Sequence, residues 1–229
     1  MEIQPIAYFH SPFPSKFGIP KQSGLVEELQ GKIVFVPDYR NRDALRGIDK
    51  FDYLWLIWEF SANRHAPESP VVRPPLLGGN ERVGVFATRS PFRPNRLGLS
   101  SVRLLSVEWD THEGPLIHVA GADLMDGTPI YDIKPYVVFA DSHPHASSGF
   151  VDHHAIRHLQ VEIPDEWQSC FSAEELPILY KILELDPRPP YQNDSDKVYG
   201  MPYGSKDIHF RVTGNELIVV NVTTIEGPK

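Results

Sequence analysis

The 229-residue sequence contains little cysteine, no long apolar run and no secretion signal. Its single cysteine, Cys170, cannot form an internal disulfide and has no neighbour at a metal-binding or redox spacing. No stretch approaches the roughly 18 uncharged apolar residues of a membrane helix, and the amino terminus lacks a basic segment followed by an apolar one. These absences predict a soluble, cytoplasmic protein.

Three common catalytic templates are also missing. No strand is followed by a GxGxxG turn that opens a helix, which argues against a Rossmann-type cofactor site. The stretch LLGGNERVG, residues 76–84, lacks the lysine and the hydroxyl residue of a phosphate-binding P-loop. No GxSxG pattern marks a nucleophilic serine. The usual routes to nucleotide binding and serine hydrolysis are therefore not indicated.

Charged residues are common in the chain, but positive and negative ones are unevenly distributed along it. The formal net charge is −8, yet residues 64–103 carry seven arginines against two glutamates, which leaves +5 there and −13 elsewhere. This basic stretch contains ATRSPFRPNRLG, residues 87–98, in which two prolines restrict the backbone around three arginines. Guanidinium groups held in this way suit carboxylates or phosphates. A local anion site and a solvated turn with paired arginines both remain open.

Short apolar runs bounded by turns predict β-strands over the first 140 or so residues. The runs are 33–36, 51–60, 83–87, 102–109, 116–120 and 130–139. Run 51–60, FDYLWLIWEF, is apolar on both alternating faces, which predicts a strand covered on both sides, as in a closed barrel whose outer wall is packed or dimerised. No amphipathic helix separates the runs. We therefore predict a mainly β domain over residues 1–150.

The carboxy-terminal part follows a different pattern. Ser172 and Glu175 stand at capping-box spacing ahead of apolar residues at helical intervals, which predicts one helix. Alternating apolar residues on both sides of the turn 213–215 predict a pair of strands. A small α+β domain is therefore predicted over residues 160–229.

The segment DLMDGTPIYDIKPYV, residues 123–137, combines a turn with a polar strand face. Asp126 and Gly127 form a typical hairpin-turn dipeptide. In the strand that follows, Asp132, Lys134 and Tyr136 lie on one face by alternation. Charged residues in this arrangement either line a cleft or form an exposed ion pair, and the residues alone leave both interpretations open.

Half of the ten histidines lie close together: His143, His145, His153, His154 and His158. Their density, with aspartates nearby, raises the hypothesis of a metal-dependent hydrolase. The spacing matches neither HExxH nor a zinc finger, and the surrounding prolines and serines indicate a loop. We therefore predict no metal site.

Four ordered stretches cover most of residues 1–150: PKQSG at 20–24, NRH at 63–65, GVFATRSPFRPNRLGLSSVRL at 84–104 and DLMDGTPIYDIKPY at 123–136. Together they resemble the TsaA-like family, whose characterised members are TrmO-type tRNA methyltransferases. The resemblance implies a single-sheeted antiparallel β-barrel that differs from Rossmann methyltransferases and forms a homodimer. It also implies an S-adenosylmethionine-dependent enzyme that methylates N6 of threonylcarbamoyladenosine beside the anticodon of tRNA.

By resemblance, eleven residues contact S-adenosylmethionine. They are Pro20, Lys21, Gln22, Arg64, His65, Arg89, Leu99, Asp126, Gly127, Thr128 and Pro129. All eleven lie in the four stretches that carry the resemblance, so one site is expected to draw on several distant parts of the chain.

Elementary chemistry suggests roles in the implied reaction. The target nitrogen is conjugated to a carbonyl group and to the purine, so its proton must leave at or near methyl transfer and a base would help. Asp132 is the leading candidate for this base, and His65 is the second. The alternative is that no base is used and that alignment of the reactants alone accelerates methyl transfer. The residues predicted to bind the substrate are Arg93, Arg96, Lys134 and Tyr136, with an arginine on the threonyl carboxylate or on a phosphate.

Two other functions stay open on the sequence alone. A non-catalytic RNA-binding β-barrel would use the stretch 87–98, the arginine loop, for phosphates, and a metal-dependent hydrolase would use the histidine-rich segment. The C-terminal domain mixes aromatic and basic residues in one long loop. That loop is predicted either to contact tRNA or to pack on the barrel.

Overall fold

The computed structural model describes residues 2–63, 68–79, 81–154, 157–189 and 194–225. The strands in these ranges are β1 (Ala7–His10), β2 (Gln30–Phe35), β3 (Tyr53–Glu59), β4 (Val71–Val72), β5 (Val83–Gly84), β6 (Leu97–Glu108), β7 (Leu116–Ala120), β8 (Thr128–Pro135), β9 (Gln160–Glu162), β10 (Tyr199–Tyr203), β11 (Lys206–Thr213) and β12 (Glu216–Thr224). The α-helices are α1 (Val138–Asp141), α2 (Asp165–Gln168) and α3 (Glu175–Glu184). Within the same ranges, no helix has the length and apolar character needed to cross a membrane.

Six strands close into an antiparallel barrel in the order β1, β2, β7, β6, β3, β8, and β8 pairs back onto β1. Alternate residues of each strand face the interior. Leu54, Leu56 and Trp58 of β3 are buried there with Ile117 of β7 and Ile130 of β8. Closure pairs the strand edges of this sheet with one another. The predicted single-sheeted antiparallel barrel is therefore confirmed.

The outer face of β3 is only partly covered. Tyr53 is exposed, whereas Trp55 and Ile57 are half-buried. Tyr136 packs against Tyr53 and Trp55, with ring centroids 6.2 and 5.6 Å apart. The prediction of a strand covered on both sides is thus only half met, because these aromatic rings shield the wall without building a second core.

Several predicted strand boundaries are wrong for local reasons, and β1, β4, β9 and β10 are missed; β10 lies in the stretch predicted to be one long loop. Only two residues of the run 83–87 are a strand, because the backbone N–H and the hydroxyl of Thr88 both donate to the Val85 carbonyl and close a turn. The run 130–139 ends as a strand at Pro135. Beyond it, the Val137 N–H donates to Asp141 Oδ2, and α1 begins.

The C-terminal part is a four-stranded sheet in the order β10, β11, β12, β9, with α3 packed against it. Strand β9 runs parallel to β12, and the other pairs are antiparallel. Ahead of α3, the Glu175 N–H donates to Ser172 Oγ, and the Ser172 N–H donates to a Glu175 carboxylate oxygen. These reciprocal bonds are the predicted capping box. The predicted α+β character of this part is confirmed.

The segment 11–29, which connects β1 to β2, joins the two parts of the fold. Three of its residues, Phe13, Val26 and Leu29, are buried in the core of the C-terminal sheet with Met201. The barrel core is a separate cluster. A piece of the N-terminal chain therefore completes the C-terminal core.

Candidate functional site

A cavity of about 590 Å³ opens at one rim of the barrel. Its lining comes from four parts of the chain, within residues 16–22, 58–63, 88–99 and 123–128. This volume is typical of a pocket for a small organic ligand. Closure of the barrel thus brings together stretches that lie far apart in the sequence.

Trp58 and Phe60 form an ordered aromatic wall of the cavity. The Trp58 indole packs directly on Gly98, where a Cβ atom would lie 2.3 Å from the ring, so only glycine fits. The indole Nε1–H donates to Ser100 Oγ at 2.9 Å. Phe60 meets the indole edge to face, with ring centroids 4.4 Å apart. The position of Trp58 is therefore fixed by packing and by a buried hydrogen bond.

Asp123 places a carboxylate in the cavity lining. Ser100 Oγ donates to Asp123 Oδ1 at 2.5 Å, which extends the hydrogen-bond chain that starts at Trp58. Burial raises the pKa of the Asp123 carboxyl, and the Ser100 hydrogen bond and the charge of Arg89 offset that rise only in part. A poorly hydrated carboxylate of this kind is suited to a cationic ligand group, because the ligand charge replaces lost hydration.

Positive and polar groups face the same cavity from two loops. Arg89 Nη1 donates to Gln22 Oε1 at 2.6 Å, which ties the arginine loop to the 16–22 loop. Gln22 Nε2 donates in turn to the Lys21 carbonyl at 2.6 Å. Lys21 and Arg89 therefore supply cations to a cavity in which Asp123 supplies an anion.

Arg93 also lines the cavity, but part of its guanidinium holds the arginine loop together. Its Nη1 donates to the Thr88 carbonyl at 3.0 Å and to the Ser90 carbonyl at 3.4 Å. Arg96 immediately precedes β6 and is not among the described lining residues; its carbonyl accepts the Phe60 N–H. The stiff loop predicted from the sequence is thus an internally bonded turn.

The predicted base, Asp132, lies on the outer face of β8. A β-bulge at Tyr131 shifts the register against β3, so that Asp132 pairs with Ile57. Ile57 pairs on its other side with Leu99, which lines the cavity. At about 4.8 Å per strand, this row places Asp132 roughly 10 Å from Leu99. Lys134 Nζ lies 2.8 Å from Asp132 Oδ2, and the two side chains are 61% and 42% exposed.

The remaining predicted residues fall into distinct groups, and their roles stay predictions. Those that line the cavity are Pro20, Lys21, Gln22, Arg89, Leu99 and Thr128. Those that belong to the adjoining turn and strand, but not to the described lining, are Asp126, Gly127 and Pro129. Lys134 is the second-last residue of β8, and Tyr136 directly follows the strand. Arg64 and His65 lie outside the described residues, directly after the lining residue Asn63.

Among the residues of the site that sequence reasoning misses, four carry polar groups that matter to its chemistry: Trp58, Glu59, Ser100 and Asp123. Glu59 is a second carboxylate of the lining, and its Oε2 accepts a 2.8 Å hydrogen bond from the Tyr131 hydroxyl. Ser100 is buried at an inward position of β6, and a polar residue at such a position is the signal that identifies it. Asp123 opens the DLMDGTP stretch but has no local pattern that marks it as buried.

The histidine-rich segment makes bonds within its own loop. His154 Nδ1 lies 2.7 Å from the Phe150 carbonyl, and Asp152 Oδ2 accepts the Ser148 N–H at 2.7 Å. Across the part of the chain that the structure describes, no group of three or more His, Cys, Asp or Glu residues is arranged to hold a metal ion. The structure therefore offers no geometric support for the hydrolase hypothesis in those ranges.

The fold and the cavity together define a closed β-barrel protein with a candidate ligand cavity at its rim, distinct from the Rossmann class. Two family models match the chain: that of the tRNA-methyltransferase O N-terminal domain matches residues 8–142, and that of the TrmO C-terminal domain matches residues 157–225. The chain belongs to the tRNA-methyltransferase O family.

Individual relatives agree with this assignment. The chain is 36% identical over 221 residues to the tRNA (adenine(37)-N6)-methyltransferase of Escherichia coli strain K12, covering 93% of each. It is 35% identical over 230 residues to a Pseudomonas aeruginosa protein whose name describes an S-adenosylmethionine-dependent methyltransferase, covering 95% of each. The crystal structure of TrmO from Pseudomonas aeruginosa superposes with a TM-score of 0.76 at 29% identity, over 97% of this chain and 98% of that one.

Proposed function

We propose that this protein is an S-adenosylmethionine-dependent methyltransferase that acts on N6 of adenosine 37 in tRNA. The observation that carries the proposal is the rim cavity, where Lys21, Gln22 and Arg89 meet Asp123 beside an aromatic wall. Family membership supports the same activity, because relatives matched along nearly the whole chain bear that name. When bound, S-adenosylmethionine supplies an electrophilic methyl group.

The charges of the cavity fit those of S-adenosylmethionine. This ligand carries a carboxylate, an ammonium and a sulfonium group besides its adenosine. Lys21 and Arg89 provide cations for the carboxylate. Asp123 provides an anion for a positive group, and Trp58 with Phe60 provides an apolar wall for a purine ring. The side chains thus bind and orient the ligand rather than react with it.

Asp132 is proposed as the base that accepts the N6 proton. The row formed by Asp132, Ile57 and Leu99 supports this role, because it places the carboxylate on the same face of the sheet as a residue that lines the cavity, and the N6 atom must approach both the base and the methyl donor. Lys134, paired with Asp132 at 2.8 Å, would orient that carboxylate. The second candidate, His65, lies outside the described residues and stays a prediction.

The threonylcarbamoyl group on the target adenosine is the finer part of the proposal. It adds a carboxylate close to N6, and Arg93 in the cavity lining or Arg96 before β6 would pair with it. Tyr136, which packs on Trp55, offers an aromatic ring for a base splayed out of the anticodon loop. The basic stretch 64–103 would meet tRNA phosphates.

We also propose a homodimer that works in the cytoplasm, where its tRNA substrate is found. Support for a partner surface comes from the exposed side chains of α1, where Val138 and Phe139 are 71% and 91% exposed. Large apolar side chains with this exposure are typical of contact surfaces. Sedimentation of the purified protein at several concentrations distinguishes a dimer from a monomer.

The proposed reaction is tested by incubating the purified protein with S-adenosylmethionine and tRNA, followed by mass spectrometry of the digested nucleosides. We expect one added methyl group on threonylcarbamoyladenosine. The matched control is the same tRNA from cells that cannot make the threonylcarbamoyl group, which we expect to stay unmethylated. Equal methylation of both tRNAs would refute the finer substrate assignment, and methylation of neither would refute the activity.

A further inference from the structure

The 16–22 loop, which lines the cavity, is held from behind by the C-terminal sheet. Phe17 of this loop stacks on Phe210 of β11, with ring centroids 6.5 Å apart and planes inclined by 23°. Just before the loop, Phe13 meets Tyr203 edge to face at 5.4 Å. The Gly204 N–H, in the turn after β10, donates to the Pro12 carbonyl at 2.6 Å. These contacts join the loop to β10 and β11, and the Asp126 N–H, in the turn before β8, donates to the Phe13 carbonyl at 2.8 Å and ties the same segment to the barrel.

Gly18 of the loop packs against Met201 of β10. Gly18 has a φ of +87°, and a Cβ atom built there would lie 2.4 Å from Met201 Sδ. Met201 is fully buried in the C-terminal core, so it cannot swing away into solvent. The loop backbone therefore packs directly on a C-terminal side chain, two residues before Pro20 and three before Lys21.

Electrostatics link the same two regions. Burial disfavours the ionised form of Asp186, which follows α3, but the hydrogen bonds and charge of Arg188 and the charge of Lys21 lower its pKa. The charge of Lys21 thus acts on a C-terminal carboxylate. On the cavity side, Gln22 accepts the hydrogen bond from Arg89. The loop is held between the C-terminal sheet and the arginine loop.

We infer that the C-terminal domain positions the S-adenosylmethionine site: Met201 and Phe210 hold the 16–22 loop so that Lys21 and Gln22 face the cavity. Met201 is a positioning residue, because it acts through the backbone at Gly18 and not on the ligand. The inference rests on the proposed function, since it requires that the cavity bind S-adenosylmethionine. It assigns the C-terminal domain a role in ligand binding that is separate from any contact with tRNA.

The test uses four full-length variants and calorimetric titration with S-adenosylmethionine. Gly18→Ala forces a Cβ atom against Met201 and is expected to raise Kd by about tenfold or more. Gly47→Ala is the matched control, because Gly47 has a φ of +86° and nothing within 4 Å of its Cβ position. It adds the same backbone strain without the clash. The double variant Gly18→Ala, Met201→Ala removes the clash and is expected to recover affinity to the level of the fourth variant, Met201→Ala alone, which lacks only the side chain that holds the loop.

A Kd for Gly18→Ala equal to that of Gly47→Ala, or no recovery in the double variant, would overturn the inference. If Gly18→Ala does not fold, the comparison moves to Met201→Ala against Leu183→Ala, which opens a cavity in α3 of the same core. Only Met201→Ala is then expected to raise the KM for S-adenosylmethionine relative to that for tRNA, and equal effects would overturn the inference. Wild-type protein that binds no S-adenosylmethionine would instead refute the proposed function.

Discussion

Ser100 Oγ donates a 2.5 Å hydrogen bond to Asp123 Oδ1, and the same hydroxyl accepts the Trp58 indole N–H at 2.9 Å. This arrangement fixes a carboxylate, whose pKa is raised by burial, in the lining of the rim cavity. Burying a charge is costly unless it is compensated. The Ser100 hydrogen bond and the charge of Arg89 compensate for the burial of the Asp123 carboxylate only in part, and a cationic ligand group would supply the rest.

The first prediction concerns Asp123→Asn, which keeps an acceptor for Ser100 but removes the charge. Loss of a charged hydrogen-bond partner is worth about 1.5–3 kcal/mol, so Kd for S-adenosylmethionine should rise on the order of ten- to a hundredfold. Calorimetry on the variant and the wild type measures the difference. Unchanged affinity would show that Asp123 does not face the positive charge of the ligand.

The second prediction concerns the pH dependence of the same carboxyl. Because the pKa of Asp123 is raised in the folded protein, its contribution to stability is present at acid pH and is lost as pH rises through that raised pKa. Wild-type affinity for S-adenosylmethionine should rise over the same interval, since the ionised form binds the cation. Asp123→Asn should remove the contribution of this carboxyl to both dependences and melt at a higher temperature at neutral pH. Parallel pH profiles for the two proteins would contradict this assignment.

The third prediction concerns Ser100→Ala, which leaves the Trp58 indole N–H without its acceptor. An unsatisfied buried donor costs about 1–3 kcal/mol, and chemical denaturation should show a loss of that size. Ser101→Ala is the control, because the neighbouring position on β6 faces the other side of the sheet. A similar loss in both variants would mean that the hydrogen-bond chain through Ser100 has no special role.

Local patterns account for the parts of the fold that the sequence predicts. Strand β7 matches the predicted run 116–120 because turns bound it on both sides, and α3 is marked by the capping box of Ser172 and Glu175. The Asp123 site has no such pattern. Its partner Ser100 is 23 positions away, and Trp58 lies 42 positions before Ser100. Only closure of the barrel brings the three residues together.

The same limit applies to the strand that carries Asp132. Alternation correctly places Asp132 and Lys134 on one face, but the bulge at Tyr131 that sets their register against β3 arises from pairing between strands. The prolines of the arginine loop were enough to predict that its backbone is stiff. The sequence did not predict that Arg93 donates hydrogen bonds to carbonyl groups of its own loop, because the spacing of the arginines does not fix the direction of each side chain.

The fourth prediction separates ligand binding from chemistry. Arg89→Ala should raise Kd for S-adenosylmethionine by about tenfold, since a charge-assisted contact at the cavity is lost. Asp132→Asn should lower kcat on tRNA by about a hundredfold or more and leave that Kd unchanged, as expected for loss of a general base. Single-turnover assays and calorimetry provide the two readouts. The reversed pattern would show that the two roles are misassigned.

The fifth prediction concerns salt. Binding of tRNA should weaken steeply with salt, with a slope of about −0.7 to −0.9 for each phosphate neutralised, because the basic stretch 64–103 releases counterions. Binding of S-adenosylmethionine should change little over the same range, since its charges meet partners inside the cavity. Filter binding and calorimetry on the same preparation provide the comparison. A flat salt dependence for tRNA would rule out the basic stretch as its binding surface.

The most direct test is a crystal structure of the protein with S-adenosylhomocysteine. We predict that the ligand occupies the rim cavity, with its amino group within about 3 Å of Asp123 and its carboxylate towards Lys21 or Arg89. Ligand density elsewhere on the molecule, or a cavity that stays empty at saturating ligand, would contradict the assignment of this cavity as the S-adenosylmethionine site.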